Sequence, residues 1–202
     1  MAEVTAEMVK TLREKTGAGI MECKSALNEA GGNFDKAVDI LRKKGIASAS
    51  KKIGRTAIEG VIEAYIHAGS KIGVMVEINC ETDFVARTQD FKIFAKDIAM
   101  QIAAANPLYV DREAVPAAIV EKEKEIYAEQ SKTSGKPAPV IEKMVQGKLE
   151  KFYKEVCLLE QSYIRDPNVV IGDLLKSMIA KVGENIIIRR FARFQIGETA
   201  KS

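Results

Sequence analysis

The side chains that could bind a metal or act as a nucleophile are few and lie far apart along the chain. The 202 residues include three cysteines, Cys23, Cys80 and Cys157, and a single histidine, His67. A zinc site needs four ligands, usually in closely spaced pairs, and a nucleophile needs a base and an orienting group nearby. No such group lies near His67 in the sequence. We therefore expect no metal, no cofactor and no covalent catalysis, and we expect the three thiols to be reduced, as in the cytosol.

A glycine-containing stretch ahead of a lysine suggests, at first sight, a loop that binds nucleotide phosphates. Gly17 and Gly19 precede Lys24 and Ser25. A Walker loop, however, has a glycine directly before the lysine and a strand leading into it, whereas here Cys23 precedes the lysine and a helix leads in. The pattern therefore argues against a nucleotide-binding enzyme.

The polar run Glu81-Thr82-Asp83 marks a junction between a strand and a helix. Before it, Lys71–Asn79 alternates between apolar and other side chains, which is the period of a half-buried strand. After it, apolar residues recur at the spacing of one helical face: Phe91, Phe94, Ala95, Ile98 and Ile102. Because Thr and Asp side chains accept hydrogen bonds from unpaired backbone N–H groups, the run predicts a turn or a helix start.

Phe84 follows this polar run directly, and its position has two interpretations. The ring could be a plug that folds back under its own helix, or an anchor that enters a pocket on a partner protein. Spacing alone favours the plug, because aromatic side chains are mostly buried.

The beginning of the chain predicts a bundle of three short helices over residues 1–45. Cap and stop residues delimit them at Thr5–Gly17, Ile20–Ala30 and Asn33–Gly45. The following residues, 46–57, are small, polar and basic, which predicts a linker.

The core, residues 58–202, is predicted to contain three strands. The first two, Ile58–Ala68 and Lys71–Asn79, flank Gly69-Ser70, which favours a hairpin with a type II′ turn. The third covers Asn185–Ile196 after a helix that ends at a glycine.

The third strand predicts two different faces. Alternation places Ile188, Ala192, Phe194 and Ile196 on one face, and Ile187, Arg189, Phe191 and Arg193 on the other. The arginines are expected to cover the outer face of the sheet. An alternative is an RNA-binding surface, because arginine and aromatic side chains alternate on strand-borne stacking platforms.

A helical hairpin is predicted over about residues 116–160. A strongly charged helix, Pro116–Gln130, is followed by a loop at Ser131–Pro139 and by a second helix. The second helix carries a narrow apolar seam: Val145, Leu149, Phe152, Val156 and Leu159. The seam suits either ordinary core packing or an exposed surface for oligomerisation.

Together these elements predict an α+β protein. A three-helix bundle opens the chain, and a three-stranded antiparallel sheet packed with helices and a helical hairpin follows. The 31 Lys and Arg residues and the 28 Asp and Glu residues are interspersed, which gives little reason to expect nucleic acid as the main partner. Since the sequence has no long apolar run and no targeting segment, we expect a cytoplasmic protein without a membrane partner.

Two long motifs carry a resemblance to a known family. Glu77–Arg87 (EINCETDFVAR) and Leu12–Leu27 (LREKTGAGIMECKSAL) resemble the two signatures of the elongation factor Ts family, guanine-nucleotide exchange factors of elongation factor Tu. The resemblance extends to Ser134–Pro137, Glu142–Lys148 and Phe194–Glu198. The family has long members with two related core halves and short members with one, and this chain is similar to the short members.

The resemblance implies a function and a set of contact residues. The opening bundle would be a ubiquitin-associated-like domain, and the partner would be elongation factor Tu, bound with GDP or without nucleotide. The contact motif would be Thr82-Asp83-Phe84-Val85, whose phenyl ring enters a pocket and displaces the segment that holds Mg²⁺. Arg13, Ile20 and Met21 would make a second contact, although the family often has methionine in place of Ile20.

The resemblance also allows a homodimer, in which two copies supply what long members carry in one chain. The seam of the helical hairpin and the third strand are the candidate interfaces. A different class of function remains as an alternative: a ubiquitin-associated-like interaction module with an RNA-binding sheet.

Overall fold

The computed structural model describes residues 4–132 and 137–198. Its α-helices are α1 (Ala6–Thr16), α2 (Ile20–Glu29), α3 (Phe34–Ser50), α4 (Asp83–Arg87), α5 (Gln89–Ala105), α6 (Ala117–Lys132), α7 (Ala138–Val156) and α8 (Ile171–Val182). Its strands are β1 (Glu59–Ile66), β2 (Ile72–Cys80), β3 (Ser162–Tyr163), β4 (Asp166–Val170) and β5 (Ile186–Gln195). An antiparallel sheet has the strand order β1-β2-β5, and β3 pairs with β4 in a smaller second sheet. This mixture of helices and sheet confirms the predicted α+β class.

The chain divides into two compact units that are not continuous in sequence. The first unit contains the chain up to Gly60, together with Asn79–Phe91 and Asp173–Ile187. The second unit contains Val61–Ile78, Lys92–Gly172 and the chain from Ile188 onward. None of the described helices is both long enough and apolar enough to cross a lipid bilayer.

Helices α1 to α3 form the predicted bundle in the first unit. The Thr5 side chain accepts a hydrogen bond from the Met8 N–H at 3.2 Å, and Gly17 ends α1 with a left-handed φ of 71°. The side chain of Asn33 caps α3 by accepting from the Lys36 N–H at 2.9 Å. The bundle buries one apolar cluster: Val9, Leu12, Cys23, Ala26, Leu27, Ala37 and Leu41.

Helix α3 does not stop at Gly45 but continues to Ser50, so the first five residues of the predicted linker are helical. A Cβ atom added at Gly45 would lie 3.4 Å from the Cβ of Ala180 in α8. The glycine therefore permits close packing of α8 against α3 instead of ending the helix. The sequence pattern indicated a stop because a helix-ending glycine and a closely packed glycine look alike in a single sequence.

Strand β2 has the predicted two faces. Val74, Val76 and Ile78 are buried, whereas Met75 between them is exposed. The predicted type II′ turn is wrong, because Gly69 and Ser70 both have positive φ, 88° and 55°. The Ser70 N–H donates to the His67 carbonyl at 2.9 Å, and the His67 N–H donates to the Ile72 carbonyl at 2.9 Å, which gives a longer loop.

The alternation of β5 stands, but the prediction that its arginine-bearing face is the outer face is wrong near the C-terminal end. Phe194 and Ile196 are 70% and 73% exposed, whereas the Arg193 side chain is only 9% exposed. The Arg193 guanidinium donates to the Ala103 carbonyl, to Gln195 at 2.6 Å and to Glu198 at 3.0 Å. An arginine side chain can be buried when its N–H groups all have hydrogen-bond acceptors. The prediction that this arginine covers the outer face used its polarity alone and was therefore incorrect.

Helices α6 and α7 pack as the predicted helical hairpin. The Lys148 ammonium donates to the side chain of Gln130 at 2.8 Å and lies 5.6 Å from the centroid of the Tyr127 ring. The seam is shorter than predicted, because α7 ends at Val156 and Leu159 lies in a following 3₁₀ turn. The predicted loop falls partly on residues 133–136, which lie outside the described residues.

The short hairpin of β3 and β4 was not predicted from the sequence, which indicated only a turn at Asp166-Pro167. The buried Gln101 side chain supports it by donating to the Ser162 carbonyl at 3.2 Å and accepting from the Ile164 N–H at 2.9 Å. Strands of two and five residues are too short to show a reliable alternation.

Candidate functional site

The strand-to-helix junction predicted at Glu81-Thr82-Asp83 is present at the end of β2. Thr82 has extended dihedral angles, φ −129° and ψ 152°, and caps α4 through its hydroxyl oxygen, which accepts from the Val85 N–H at 3.4 Å. Helix α4 is only five residues long and ends at Arg87, and a single cap residue, Thr88, separates it from α5. Along the chain, one short helix therefore separates β2 from the apolar helix α5.

Phe84 lies in the first turn of α4 with its ring in solvent. The side chain is 77% exposed, whereas its neighbours Val85 and Ala86 are buried. The plug interpretation, which spacing alone favoured, is therefore wrong. Helix α4 buries its other apolar side chains, Val85 and Ala86, and leaves the Phe84 ring exposed to solvent.

Asp83 and Thr82 both lie at the start of this helix. The Asp83 carboxylate accepts from the Arg87 guanidinium at 2.7 Å, an exposed pair one helical turn apart. A negative charge in the first turn also complements the helix dipole. Asp83 therefore supports the local helix whether or not it contacts another molecule.

Two residues that the sequence did not single out contact this junction. Glu184 accepts hydrogen bonds from the Thr82 N–H at 3.0 Å and from the Thr82 hydroxyl at 2.7 Å. Asn185 donates from its N–H to the Glu81 carboxylate at 2.6 Å and from its side-chain amide to the Arg55 carbonyl at 2.7 Å. These pairs are separated by more than 100 residues, so no local pattern could have indicated them.

Cys80, the last residue of β2, stabilises the junction through a buried hydrogen bond. Its thiol is buried and donates to the Thr82 carbonyl, with a sulfur–oxygen distance of 3.1 Å. Burial, reinforced by the negative charge of Glu184, raises the pKa of the Cys80 thiol from 9.0 to about 11. The thiol therefore keeps its proton near neutral pH and remains a hydrogen-bond donor.

The second predicted contact set lies on the helical bundle. Ile20 and Met21, in the first turn of α2, are 55% and 74% exposed, and Arg13 on α1 is exposed as well. The Glu22 side chain holds the start of α2 by accepting from the Gly19 N–H at 3.0 Å. Both contact sets belong to the first compact unit.

Comparison with known proteins gives near-complete matches. The family model described as "Elongation factor TS" matches residues 3–198. The chain is 64% identical over 195 residues to Elongation factor Ts of Carboxydothermus hydrogenoformans, with 96% of this chain and 90% of that protein covered. It is 61% identical over 196 residues to Elongation factor Ts of Fervidobacterium nodosum, with 97% of this chain and 100% of that protein covered.

These matches extend over both compact units and include the strand-to-helix junction and the helical bundle. Their length excludes a shared motif on an otherwise different protein. The chain therefore belongs to the elongation factor Ts family of translation elongation factors.

Proposed function

We propose that this chain binds elongation factor Tu, with GDP or without nucleotide, and accelerates the release of GDP so that GTP can bind. The observation that carries the proposal is the Phe84 ring, which is 77% exposed on a capped helix start. A ring on a fixed backbone can enter a partner's pocket with little loss of conformational freedom. Thr82 and Asp83 stabilise the helix start, and the buried side chain of Val85 packs the helix onto the protein.

The proposed mechanism is that of a wedge. The Phe84 ring enters a pocket on the nucleotide-binding domain of elongation factor Tu and displaces the segment that helps to hold Mg²⁺. Because Mg²⁺ neutralises phosphate charge, disturbing its ligands raises the free energy of the GDP complex. An aromatic anchor of this kind contributes about 2 kcal/mol or more to binding. By linkage, the chain weakens GDP binding by the same factor by which GDP weakens binding of the chain.

The exposed Ile20 and Met21 side chains, with Arg13, supply a second contact with elongation factor Tu. Two apolar side chains that are accessible side by side on a helix start form a small patch suited to an interface. A second contact on the same compact unit increases affinity without taking part in the displacement of Mg²⁺.

No covalent bond forms or breaks in the proposed reaction. The chain acts by differential binding to two states of its partner, so it requires no nucleophile, acid–base pair or cofactor. We place this activity in the cytoplasm, where elongation factor Tu would be its partner, without direct contact to nucleic acid or membrane.

The test is the release of a fluorescent GDP from elongation factor Tu of matched origin, in excess unlabelled nucleotide. A sub-stoichiometric amount of this chain is expected to accelerate release, since each molecule acts repeatedly. Bovine serum albumin at equal concentration controls for non-specific protein effects. An unchanged rate would refute the exchange function.

We further propose that the outer face of the β1-β2-β5 sheet joins two copies of the chain. Ile62 and Ile66 on β1, Met75 on β2, and Phe194 with Ile196 at the end of β5 are all more than half exposed. Four of them, Ile66, Met75, Phe194 and Ile196, line a shallow depression of about 490 Å³ in the second unit. A second copy offers the same apolar face, so a two-fold contact would cover both.

Placing a charge on this face is expected to dissociate the dimer. Phe194→Glu buries an uncompensated carboxylate in an apolar interface, at a cost of about 3 kcal/mol or more, which corresponds to roughly a hundredfold weaker association. Light scattering coupled to gel filtration would show a shift from dimer to monomer. Phe152→Glu on α7 is the matched control for the other candidate interface, the seam of the helical hairpin, and dissociation by that variant alone would assign the interface there.

The RNA-binding alternative receives little support from the contacts of the sheet. Arg190 forms an ion pair with Glu77 at 2.7 Å, and Arg193 is enclosed and paired with Glu198. Guanidinium groups already paired with carboxylates are poorly placed to neutralise phosphates. A salt-dependent shift with RNA, without any effect on GDP release, would favour the alternative.

A further inference from the structure

The helix start that carries Phe84 is held by two reciprocal carboxylate contacts. Glu184 accepts from the Thr82 N–H at 3.0 Å, and Glu81 accepts from the Asn185 N–H at 2.6 Å. The adjacent residues Glu81 and Thr82 thus bind the adjacent residues Asn185 and Glu184, respectively. Arg55 adds an ion pair to the Glu81 carboxylate at 3.7 Å. All five residues belong to the first compact unit.

Each polar group of Thr82 has a partner in this arrangement. Its N–H and its hydroxyl both donate to Glu184, and the hydroxyl oxygen also accepts from the Val85 N–H. Its carbonyl accepts from the Cys80 thiol at 3.1 Å and from the Ala86 N–H at 3.3 Å. The backbone at Thr82, two residues before Phe84, is therefore fixed in position and direction.

Helix α4 needs such external support. A helix of five residues is far below the roughly 12 residues at which isolated helices become marginally stable. Its last turn is held by the Thr88 hydroxyl, which donates to the Val85 carbonyl at 2.7 Å. Its first turn depends on Thr82, and Thr82 depends on Glu184. Because the Phe84 ring is in solvent, its own packing contributes little to its orientation.

We propose that Glu184 is a positioning residue for exchange, which holds Thr82 so that the Phe84 ring is presented to elongation factor Tu in its binding orientation. This assignment rests on the proposed function. A ring that is already oriented loses less conformational freedom on binding than one on a fluctuating turn. Glu184 acts through Thr82 and Phe84, without touching the partner itself.

The test is a double-mutant cycle on the dissociation constant for nucleotide-free elongation factor Tu. Glu184→Ala is expected to raise this Kd on the order of tenfold, since small displacements of a positioned group have large effects. In a Phe84→Ala background, Glu184→Ala is expected to have almost no further effect, because no ring remains to be oriented. An equal increase in both backgrounds would overturn the proposal, since it would mean that Glu184 acts independently of Phe84.

Two further variants separate positioning from loss of the fold. Glu184→Gln keeps one oxygen to accept from the Thr82 N–H and is expected to restore Kd to within about threefold of that of the unsubstituted protein. Glu29→Ala removes an exposed carboxylate elsewhere in the first unit, paired with Lys44 at 2.6 Å, and is expected to leave Kd unchanged. A folded Glu184→Gln protein that binds about tenfold more weakly than the unsubstituted protein would contradict the hydrogen-bond role, and this comparison holds even if Glu184→Ala fails to fold.

The unsubstituted protein distinguishes failure of this assignment from failure of the exchange function. If it does not bind elongation factor Tu or accelerate GDP release, the proposed function is refuted and the positioning role with it. If it does both and Glu184→Ala binds equally well, only the positioning role is refuted.

Discussion

Replacing Phe84 with alanine is expected to leave the protein folded and to lower the rate of GDP release from elongation factor Tu by about thirtyfold or more. The magnitude follows from an aromatic anchor of about 2 kcal/mol or more, at about 1.4 kcal/mol for each factor of ten. The fold is expected to persist because the ring is 77% exposed. Substitution of an exposed side chain outside special backbone features usually changes the free energy of unfolding by less than about 0.5 kcal/mol.

The measurement combines release of a fluorescent GDP with thermal unfolding of the same preparation. Ile58→Ala is the matched control, because Ile58 is equally accessible, at 79% exposed, and belongs to the same compact unit but lies outside the motif. It is expected to change neither quantity. An unchanged release rate for Phe84→Ala would contradict the wedge, and a large fall in Tm would return Phe84 to a structural role.

The sequence predicted the framework of this site but not the exposure of its ring. The alternation of β2, the helix start at Glu81-Thr82-Asp83 and the apolar face of α5 follow from local periodicity and side-chain chemistry, and the structure confirms them. Phe84 falls between the two periodic patterns, so neither pattern says where its ring points. A general preference for buried aromatic residues then gave the wrong answer.

Glu184 and Gly45 show what a single sequence cannot indicate. The partner of Glu184, Thr82, lies 102 residues away, and neither segment has a local pattern that depends on the other. Gly45 has a packing role that depends on Ala180 in a different helix. In both cases the determining neighbour is brought close by the fold, whereas capping and alternation involve residues within a few positions.

The end of β5 shows that the polarity of a side chain does not by itself predict whether that side chain is exposed. Arg193 is enclosed because its donors find the Ala103 carbonyl and the side chains of Gln195 and Glu198. Phe194 is exposed on an apolar face for which we propose a second copy as the cover. The core of an interface between copies is more apolar than the rest of a protein surface. A sequence pattern cannot distinguish such apolar residues from those of the monomer's own core, so it predicts that they are buried in the monomer.

The two compact units divide the proposed tasks. Both predicted contact sets for elongation factor Tu, together with Glu184, belong to the first unit, and the apolar sheet face belongs to the second. The first unit is assembled from three separate stretches of the chain. Its contact residues are therefore brought into one body by the fold, although 70 residues separate Arg13 from Asp83.

Replacing Phe91 with alanine is expected to have the opposite effect to Phe84→Ala. Phe91 lies seven residues further along, in α5, and is completely buried. Truncating a buried phenylalanine leaves a cavity and lowers the free energy of unfolding by about 3 to 5 kcal/mol, out of a total of about 5 to 15 kcal/mol. For a chain of this length, Tm is expected to fall by about 6 to 20 °C.

Urea and thermal unfolding would measure this loss, with Phe91→Leu as the control, since a substitution closer in volume costs less than about 1.5 kcal/mol. Well below its Tm, the folded Phe91→Ala protein is expected to accelerate GDP release almost normally, because the side chain does not reach the surface. A Phe91→Ala protein with unchanged Tm would contradict its place in the core. The two alanine variants thus separate binding from folding: the same truncation removes exchange where the ring is exposed and removes stability where the ring is buried.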